Sequence, residues 1–169
     1  MKRMYGVEMQ VASGKLPGFY AQVIHKIGND VNVFDRDQLL FVVEQEEERK
    51  KLCAILDKAH MLGDQFELLY VPSGSFSHLD DAGFVSPNEH IYLYADRVAL
   101  FALNPQEGSE EDRWAALEQL REHLIGEFYG SNREHPVFVL DRNLTDLAEG
   151  IARAYRISLT WLHPGPISK

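Results

Sequence analysis

The chain has 169 residues and carries 26 Asp and Glu against 17 Lys and Arg, a formal net charge of −9 at pH 7. Its 45% hydrophobic and 25% charged residues are typical of a globular protein that buries a core, which excludes a disordered chain. The acidic balance disfavours direct binding to nucleic acid or to an anionic membrane, since both ligands select basic surfaces.

Cysteine content and apolar runs restrict the class of protein further. The single cysteine, Cys53, allows no disulfide within the chain and no zinc site built from cysteine pairs. The basic start of the sequence is not followed by the apolar segment of a secretory signal. The apolar run Val98–Leu103 is far shorter than the roughly 20 residues that span a membrane. We therefore expect a soluble, intracellular and cytoplasmic protein that does not bind a membrane.

The first part of the chain is predicted to be mostly strand. Residues 5–11 alternate between apolar and polar side chains, which is the period of a half-buried strand. Residues 13–18 have the composition of a turn, and residues 19–27 alternate again, so we predict a hairpin. A short strand at 31–34 and a buried strand at 39–43 follow.

A helix is predicted over residues 45–62. Its first turn contains three successive glutamates, where the helix dipole favours negative charge. Its apolar face repeats at helical spacing and consists of Leu52, Ile55, Ala59 and Leu62. The next strand is predicted at 66–71 and ends at Pro72.

Beyond residue 90, the runs 91–94 and 98–103 predict either a hairpin or one long bulged strand. Ser109 and Asp112 resemble a capping box and begin a second helix. The apolar stripe of this helix is predicted to be Trp114, Leu117, Leu120, Leu124 and Phe128.

The C-terminal part is predicted to be a strand at 137–140, a third helix and a strand at 157–161. Asn143 with Asp146 is the predicted cap of the helix. Its predicted buried face consists of Leu144, Leu147, Ile151 and Tyr155. A strand–helix–strand unit of this kind is expected to cross over right-handedly to a parallel neighbouring strand.

These elements predict an α+β protein with a mixed, mostly antiparallel sheet and about three helices packed on it. We expect one domain over 1–169, because no Gly-, Ser- or Pro-rich linker divides the chain. The order β-β-α-β occurs twice, which suggests duplicated halves at 1–72 and 90–163 joined by the loop 72–90. The halves share no residue-level identity.

The loop 72–90, PSGSFSHLDDAGFVSPNEH, is the first candidate site, since long loops in compact domains are often functional. For an enzyme that uses an imidazole as a general base, the catalytic candidates are His78, Asp81 and His90. For a metal-dependent enzyme, the candidate ligands are His78, Asp80 and His90.

The same loop also has a structural interpretation. Ser77 and Asp80 are spaced as a capping box and could begin a short helical turn, which Phe76 and Leu79 would anchor to the core. His78 and Asp81 would then face solvent.

Two further polar groups, at 35–37 and 141–143, follow apolar strands. Ligands often bind at such strand ends, although turn and cap chemistry explains the same residues. His25 falls on the apolar side of the predicted second strand. The chain contains no P-loop, dinucleotide-binding glycine motif or nucleophile elbow, and we expect no cofactor.

The favoured function is a non-catalytic, acidic protein-interaction module that regulates or inhibits a macromolecular partner. A basic partner protein would complement the charge. The predicted interaction surface consists of Tyr92, Tyr94, Glu46 and Glu47. One alternative is a hydrolase or metal-assisted transferase that uses the loop 72–90, and another is a structural component that self-associates into a homo-oligomer.

Overall fold

The computed structural model describes residues 1–11, 13–130 and 135–164. These residues form four α-helices and eleven β-strands, which confirms the α+β class. The strands make two antiparallel sheets instead of one mixed sheet, and one helix more than expected is present. None of the helices in the described ranges combines the length and apolar character that crossing a membrane requires.

The chain divides into two compact units. The N-terminal unit comprises Lys2–Tyr70 and Val85–Tyr92. The C-terminal unit comprises Met1, Val71–Phe84 and Leu93–Lys169. The predicted connector 72–90 therefore contributes residues to both units.

The N-terminal unit has the element order β-α-β-β-α-β. Its elements are β1 (Lys2–Met9), α1 (Pro17–Asp30), β2 (Asp35–Asp37), β3 (Leu40–Val43), α2 (Glu46–Lys58) and β4 (Leu62–Val71). The following segment supplies three more strands, β5 (Ser75–Phe76), β6 (Gly83–Val85) and β7 (Ile91–Tyr94). The six-stranded sheet has the order β2-β3-β1-β4-β7-β6, and β3 and β4 both pair antiparallel with β1.

The predicted hairpin strand at 19–27 is wrong, because this segment is part of α1. Pro17 stands at the start of the helix, where its fixed φ and missing N–H are tolerated. Val23 and Ile27 are buried at helical spacing, whereas Ala21 and His25 are exposed. Because this segment is a helix, the expectation that His25 faces inward on a strand is also wrong. Residues 31–34 contain no strand, and β2 begins one residue later.

The core of the N-terminal unit lies between its helices and the inner face of β1 and β3. The prediction of a buried strand near 39–43 and a helix after it is confirmed by β3 and α2. The helix buries Leu52 and Leu56, and Ile55 is only half-buried. The fully buried members of this core also include Val7, Met9, Val43 and Met61.

The C-terminal unit repeats the order β-α-β-β-α-β. Its elements are β8 (Val98–Leu103), α3 (Glu110–Arg121), β9 (Leu124–Phe128), β10 (Val137–Asp141), a 3₁₀ turn (Arg142–Leu144), α4 (Thr145–Ala154) and β11 (Leu159–His163). Its sheet has the order β11-β8-β10-β9-β5. Within each unit the first strand lies between the fourth and the third, as β4-β1-β3-β2 and β11-β8-β10-β9. Both units have the element order of ferredoxin-like folds, so the repeated segment is longer than the predicted β-β-α-β.

The strand pairing also corrects two predicted connections. β7 and β8 belong to different sheets, so residues 91–103 form neither a hairpin nor one bulged strand. β10 and β11 both pair antiparallel with β8, so they run parallel to each other. They are not neighbours, because β8 lies between them.

Two boundaries of the C-terminal helices differ from the prediction. Ser109 and Asp112 form the predicted capping box, but α3 ends at Arg121, and Leu124 and Phe128 belong to β9. The predicted Asn143 cap is also wrong, since Asp141 accepts a hydrogen bond from the Asn143 backbone N–H at 2.8 Å.

The buried face of α4 also differs from its prediction. It consists of Thr145, Ala148 and Ala152, whereas Leu147 is 42% exposed.

Candidate functional site

The loop candidates lie in a segment that is partly paired into sheets. Ser75 and Phe76 of β5 pair with β9, and the Ser77 backbone N–H donates to the carbonyl oxygen of Ile125 at 2.9 Å. The predicted cap of Ser77 and Asp80 is wrong, because the Ser77 hydroxyl also faces the Ile125 carbonyl, at 3.4 Å. The segment is held by strand pairing instead.

Two of the loop candidates, His78 and Asp81, line a polar cavity of about 510 Å³ in the C-terminal unit. We call it the polar cleft. Its titratable and amide side chains are His78, Asp81, Asp96, Arg97, Asp141, Arg142 and Asn143. The cleft therefore joins loop residues with the predicted strand-end group 141–143.

The polar cleft is held together mainly by backbone groups. The Arg97 guanidinium donates to the carbonyl oxygen of Asp81 at 3.0 Å. The Arg142 backbone N–H donates to the Arg97 carbonyl oxygen at 2.9 Å. One carboxylate oxygen of Asp141 accepts a hydrogen bond from the Asn143 backbone N–H in the turn that precedes α4. The residues at 141–143 thus serve as a cap and also line the cleft.

The predicted metal ligands do not form a cluster. His78 and Asp80 belong to the C-terminal unit, and His90 belongs to the N-terminal unit. Within the described ranges, no group of three or more His, Cys, Asp or Glu side chains is arranged to hold a metal ion. The hypothesis of His78, Asp81 and His90 as one catalytic set stays a prediction.

His90 instead contacts a carboxylate that sequence reasoning did not assign to it. Asp35 lies in β2 with its side chain fully buried. Its Oδ2 accepts hydrogen bonds from the Ser86 hydroxyl at 2.6 Å and the Tyr92 hydroxyl at 2.8 Å, and it lies 2.9 Å from His90 Nδ1. Its Oδ1 accepts from the Asn88 amide at 2.7 Å and from the Arg36 backbone N–H at 2.8 Å. We call these side chains the Asp35 network.

The Asp35 network keeps the carboxylate ionised. Burial alone raises the pKa of Asp35, but hydrogen bonds from Ser86, Tyr92, Asn88 and His90 outweigh it and lower the pKa from 3.8 to about 2. Burial and the hydrogen bond to Asp35 raise the pKa of Tyr92, so the Tyr92 hydroxyl stays protonated and donates. At neutral pH the network is a buried anion surrounded by donors.

Aromatic rings surround the imidazole of His90. Its ring stacks on Phe34, with ring centroids 5.2 Å apart, and meets Tyr70 edge-on at 5.4 Å. The His90 side chain keeps 31% of its surface exposed, and Phe34 keeps 37%. The imidazole is therefore partly accessible to solvent and is stacked on a partly exposed aromatic ring.

The predicted interaction surface is largely occupied by other contacts. Tyr92 is fully buried, so it contributes no surface, which corrects its assignment. Tyr94 is half-buried, and the Arg97 guanidinium lies 4.7 Å from its ring centroid. Glu46 forms an ion pair with Arg49, and Glu47 is exposed in the first turn of α2.

A different surface of the C-terminal unit contains an apolar groove. A cavity of about 350 Å³, which we call the Trp114 groove, lies between α3, β8 and β10. Its apolar lining consists of Leu103, Pro105, Trp114, Leu117, Pro136 and Phe138. Glu110, Arg113 and His135 complete it. Trp114 is 63% exposed, the opposite of the buried position predicted for it.

The charged groups of the Trp114 groove are not equivalent. The Arg113 guanidinium donates to the carbonyl oxygens of Glu107 at 3.0 Å and Gly108 at 2.7 Å, so part of its hydrogen-bonding capacity is used within the chain. Glu110 and Glu111 are exposed at the start of α3. The start of α3, at one end of the groove, is consequently acidic, whereas Arg113 remains a cation in the lining.

The sequence contains only ambiguous signals for the exposed position of Trp114 and for the contact between Asp35 and His90. α3 buries Ala116 and Leu120, and at 100° per residue Trp114 lies about 160° around the helix from Ala116. The predicted apolar stripe that contains Trp114 therefore does not match the buried face of α3. The sequence indicates Asp35 only as a polar residue at a strand end, and no local pattern connects it with His90.

No protein-family model, no curated protein and no solved structure matches this chain.

Proposed function

We propose that the protein is an interaction module that binds, in the Trp114 groove, a partner segment carrying apolar side chains next to Lys or Arg. The observation that carries the proposal is Trp114, which is 63% exposed at the edge of an apolar groove. Exposed tryptophans beside apolar pockets are typical of residues that dominate binding free energy.

The size and lining of the groove fit side chains of a peptide. A volume of about 350 Å³ takes a few apolar side chains, and the lining offers Leu117 and Phe138 as packing partners. Burial of apolar surface supplies the affinity of such an interface, so the partner segment must itself be apolar where it enters.

Charge selects the flanks of that segment. Glu110 lines the rim of the groove, Glu111 is exposed next to it in the chain, and the whole chain has a net charge of −9. Cationic residues next to the apolar side chains would approach faster and bind in register with this rim. A module of this kind would regulate or inhibit its partner by occupying a basic, apolar segment.

A labelled amphipathic peptide of Leu and Lys, compared with a peptide of Leu and Glu, tests the proposal by fluorescence anisotropy. We expect the Lys peptide to bind, the Glu peptide not to bind, and salt to weaken the complex. Trp114→Ala should weaken binding about 30-fold, the order of 2 kcal/mol expected for a dominant contact. Leu147→Ala is the matched control, since Leu147 is also exposed but lies outside the groove.

A second set of variants, with its own control, tests the contribution of charge to binding. Glu110→Lys with Glu111→Lys should reduce the affinity several-fold and flatten its salt dependence. Glu47→Lys changes an exposed glutamate in the first turn of another helix, α2, and should leave binding unchanged. Equal binding by the Trp114 and Leu147 variants would contradict the proposal, as would a larger loss in the Glu47 variant.

A further inference from the structure

The hydrogen bond between Asp35 and His90 determines which imidazole nitrogen is free. Asp35 is ionised and can only accept, so the proton in this contact must reside on His90 Nδ1. A neutral imidazole carries one proton, and Nε2 of His90 is therefore left with its lone pair. The fixed tautomer leaves a basic nitrogen on a side chain that is 31% exposed.

The surroundings keep this base accessible and oriented. Asp35 and the Tyr92 hydroxyl approach the imidazole at Nδ1, at 2.9 and 3.5 Å, and one face of the ring is stacked on Phe34. Tyr70 meets the ring edge-on, and the Tyr92 hydroxyl holds the same Asp35 oxygen that His90 contacts. A 180° flip of the imidazole would keep the ring stacked on Phe34 but would break the Asp35 contact at Nδ1.

We propose that His90 is a catalytic general base, positioned by Asp35, for the hydrolysis of aryl esters. His90 Nε2 takes a proton from a water molecule while the water oxygen bonds to the ester carbonyl carbon. The bond from that carbon to the aryloxide oxygen then breaks, and Nε2 returns the proton to the leaving oxygen. The products are a carboxylic acid and a phenol, and water is the only co-reactant.

The aromatic specificity follows from the ring beside the base. Phe34 is 37% exposed and stacked on His90, so an aryl group of the substrate can pack against it within reach of Nε2. Asp35 does not reach solvent, so its role is to hold the tautomer and to stabilise the imidazolium. This activity is independent of the Trp114 groove.

The test uses p-nitrophenyl acetate as the probe and the full chain. We expect kcat/KM to fall about 100-fold in His90→Gln, the size of a typical general-base contribution. His25→Gln is the matched control, because His25 is an exposed histidine of the same unit and should leave the rate unchanged. Phe34→Ala should raise KM with little change in kcat.

A second measurement separates catalysis from a structural role. In ¹⁵N NMR spectra of the wild-type protein, neutral His90 should show protonated Nδ1 and unprotonated Nε2. Asp35→Asn should lower kcat more than it changes KM, because it removes the acceptor that fixes the tautomer.

A folded His90→Gln variant with the wild-type rate would overturn the proposal, and so would an equal loss in the His25 variant. Should the His90 variant fail to fold, a neutral His90 protonated on Nε2 in the wild-type spectrum would overturn it.

Discussion

The carboxylate of Asp35 and the imidazole of His90 are joined at 2.9 Å although they lie 55 residues apart in the chain. The contact connects β2 with the segment that follows β6, and Ser86, Asn88 and Tyr92 of that segment bind the same carboxylate. A single buried anion thus organises three hydrogen-bonding side chains and one candidate base. Its ionisation should be visible in the stability of the protein.

Asp35→Asn should remove a pH-dependent part of the folding free energy. The pKa of Asp35 is lowered on folding from 3.8 to about 2, so the ionised carboxylate stabilises the folded state above about pH 4. That stabilisation, about 2 kcal/mol, is lost as the pH falls through the folded pKa near 2. Urea unfolding at several pH values between 2 and 7 measures the free energy of unfolding of both proteins.

The difference between wild type and Asp35→Asn should be largest at neutral pH and shrink by about 2 kcal/mol in acid. Other carboxylates are common to the two proteins, so their titration cancels in this difference. A difference that stays constant from pH 7 to pH 2 would show that the carboxylate has no depressed pKa.

Tyr92→Phe should destabilise the protein without changing its core volume much. Tyr92 is fully buried, and its hydroxyl donates to Asp35 at 2.8 Å. Loss of one donor to a buried anion costs about 1–3 kcal/mol. Tyr129→Phe is the matched control, since Tyr129 is 58% exposed and its change should stay within about 0.5 kcal/mol. Thermal or urea unfolding of the two variants gives the comparison, and equal stabilities would contradict the prediction.

Gly126→Ala should break the pairing of β5 with β9. A Cβ atom at this position would clash with the ring of Phe76 and the carbonyl oxygen of Ser75, so the neighbouring backbone must move. We expect a loss of at least about 1–3 kcal/mol, as in other overpacked positions. Amide hydrogen exchange should report the loss at Ser77, whose N–H donates to Ile125 across the same pairing.

Gly150→Ala provides the opposite expectation in the same unit. Apart from its chain neighbours and the backbone of its own helix, no described atom lies within 4 Å of a Cβ at this position, so the added methyl group meets no obstacle. Alanine should then stabilise α4 by about 0.5–1 kcal/mol. Destabilisation by both glycine substitutions would indicate a general intolerance and would contradict the steric argument for Gly126.

The error at α1 shows why periodicity alone was insufficient. Phe19, Val23 and Ile27 are four residues apart, and a spacing of four satisfies both the period of a strand and that of a helix. Pro17 at the first helical position was the local signal that favours a helix. The sequence was decisive only where its signals agreed, as at β1, β3, α2 and the capping box of α3.

Composition, buried runs and caps, which depend on neighbouring residues, determined the α+β class and most of the elements. The partners of those elements were decided only in three dimensions. β7 and β8 are adjacent in sequence but belong to different sheets, because strand pairing depends on hydrogen bonds between distant segments. The residue type of His90 and its position in the loop indicate a candidate site residue. Asp35, which orients it, could be found only in the tertiary structure, because the two residues lie far apart in the chain.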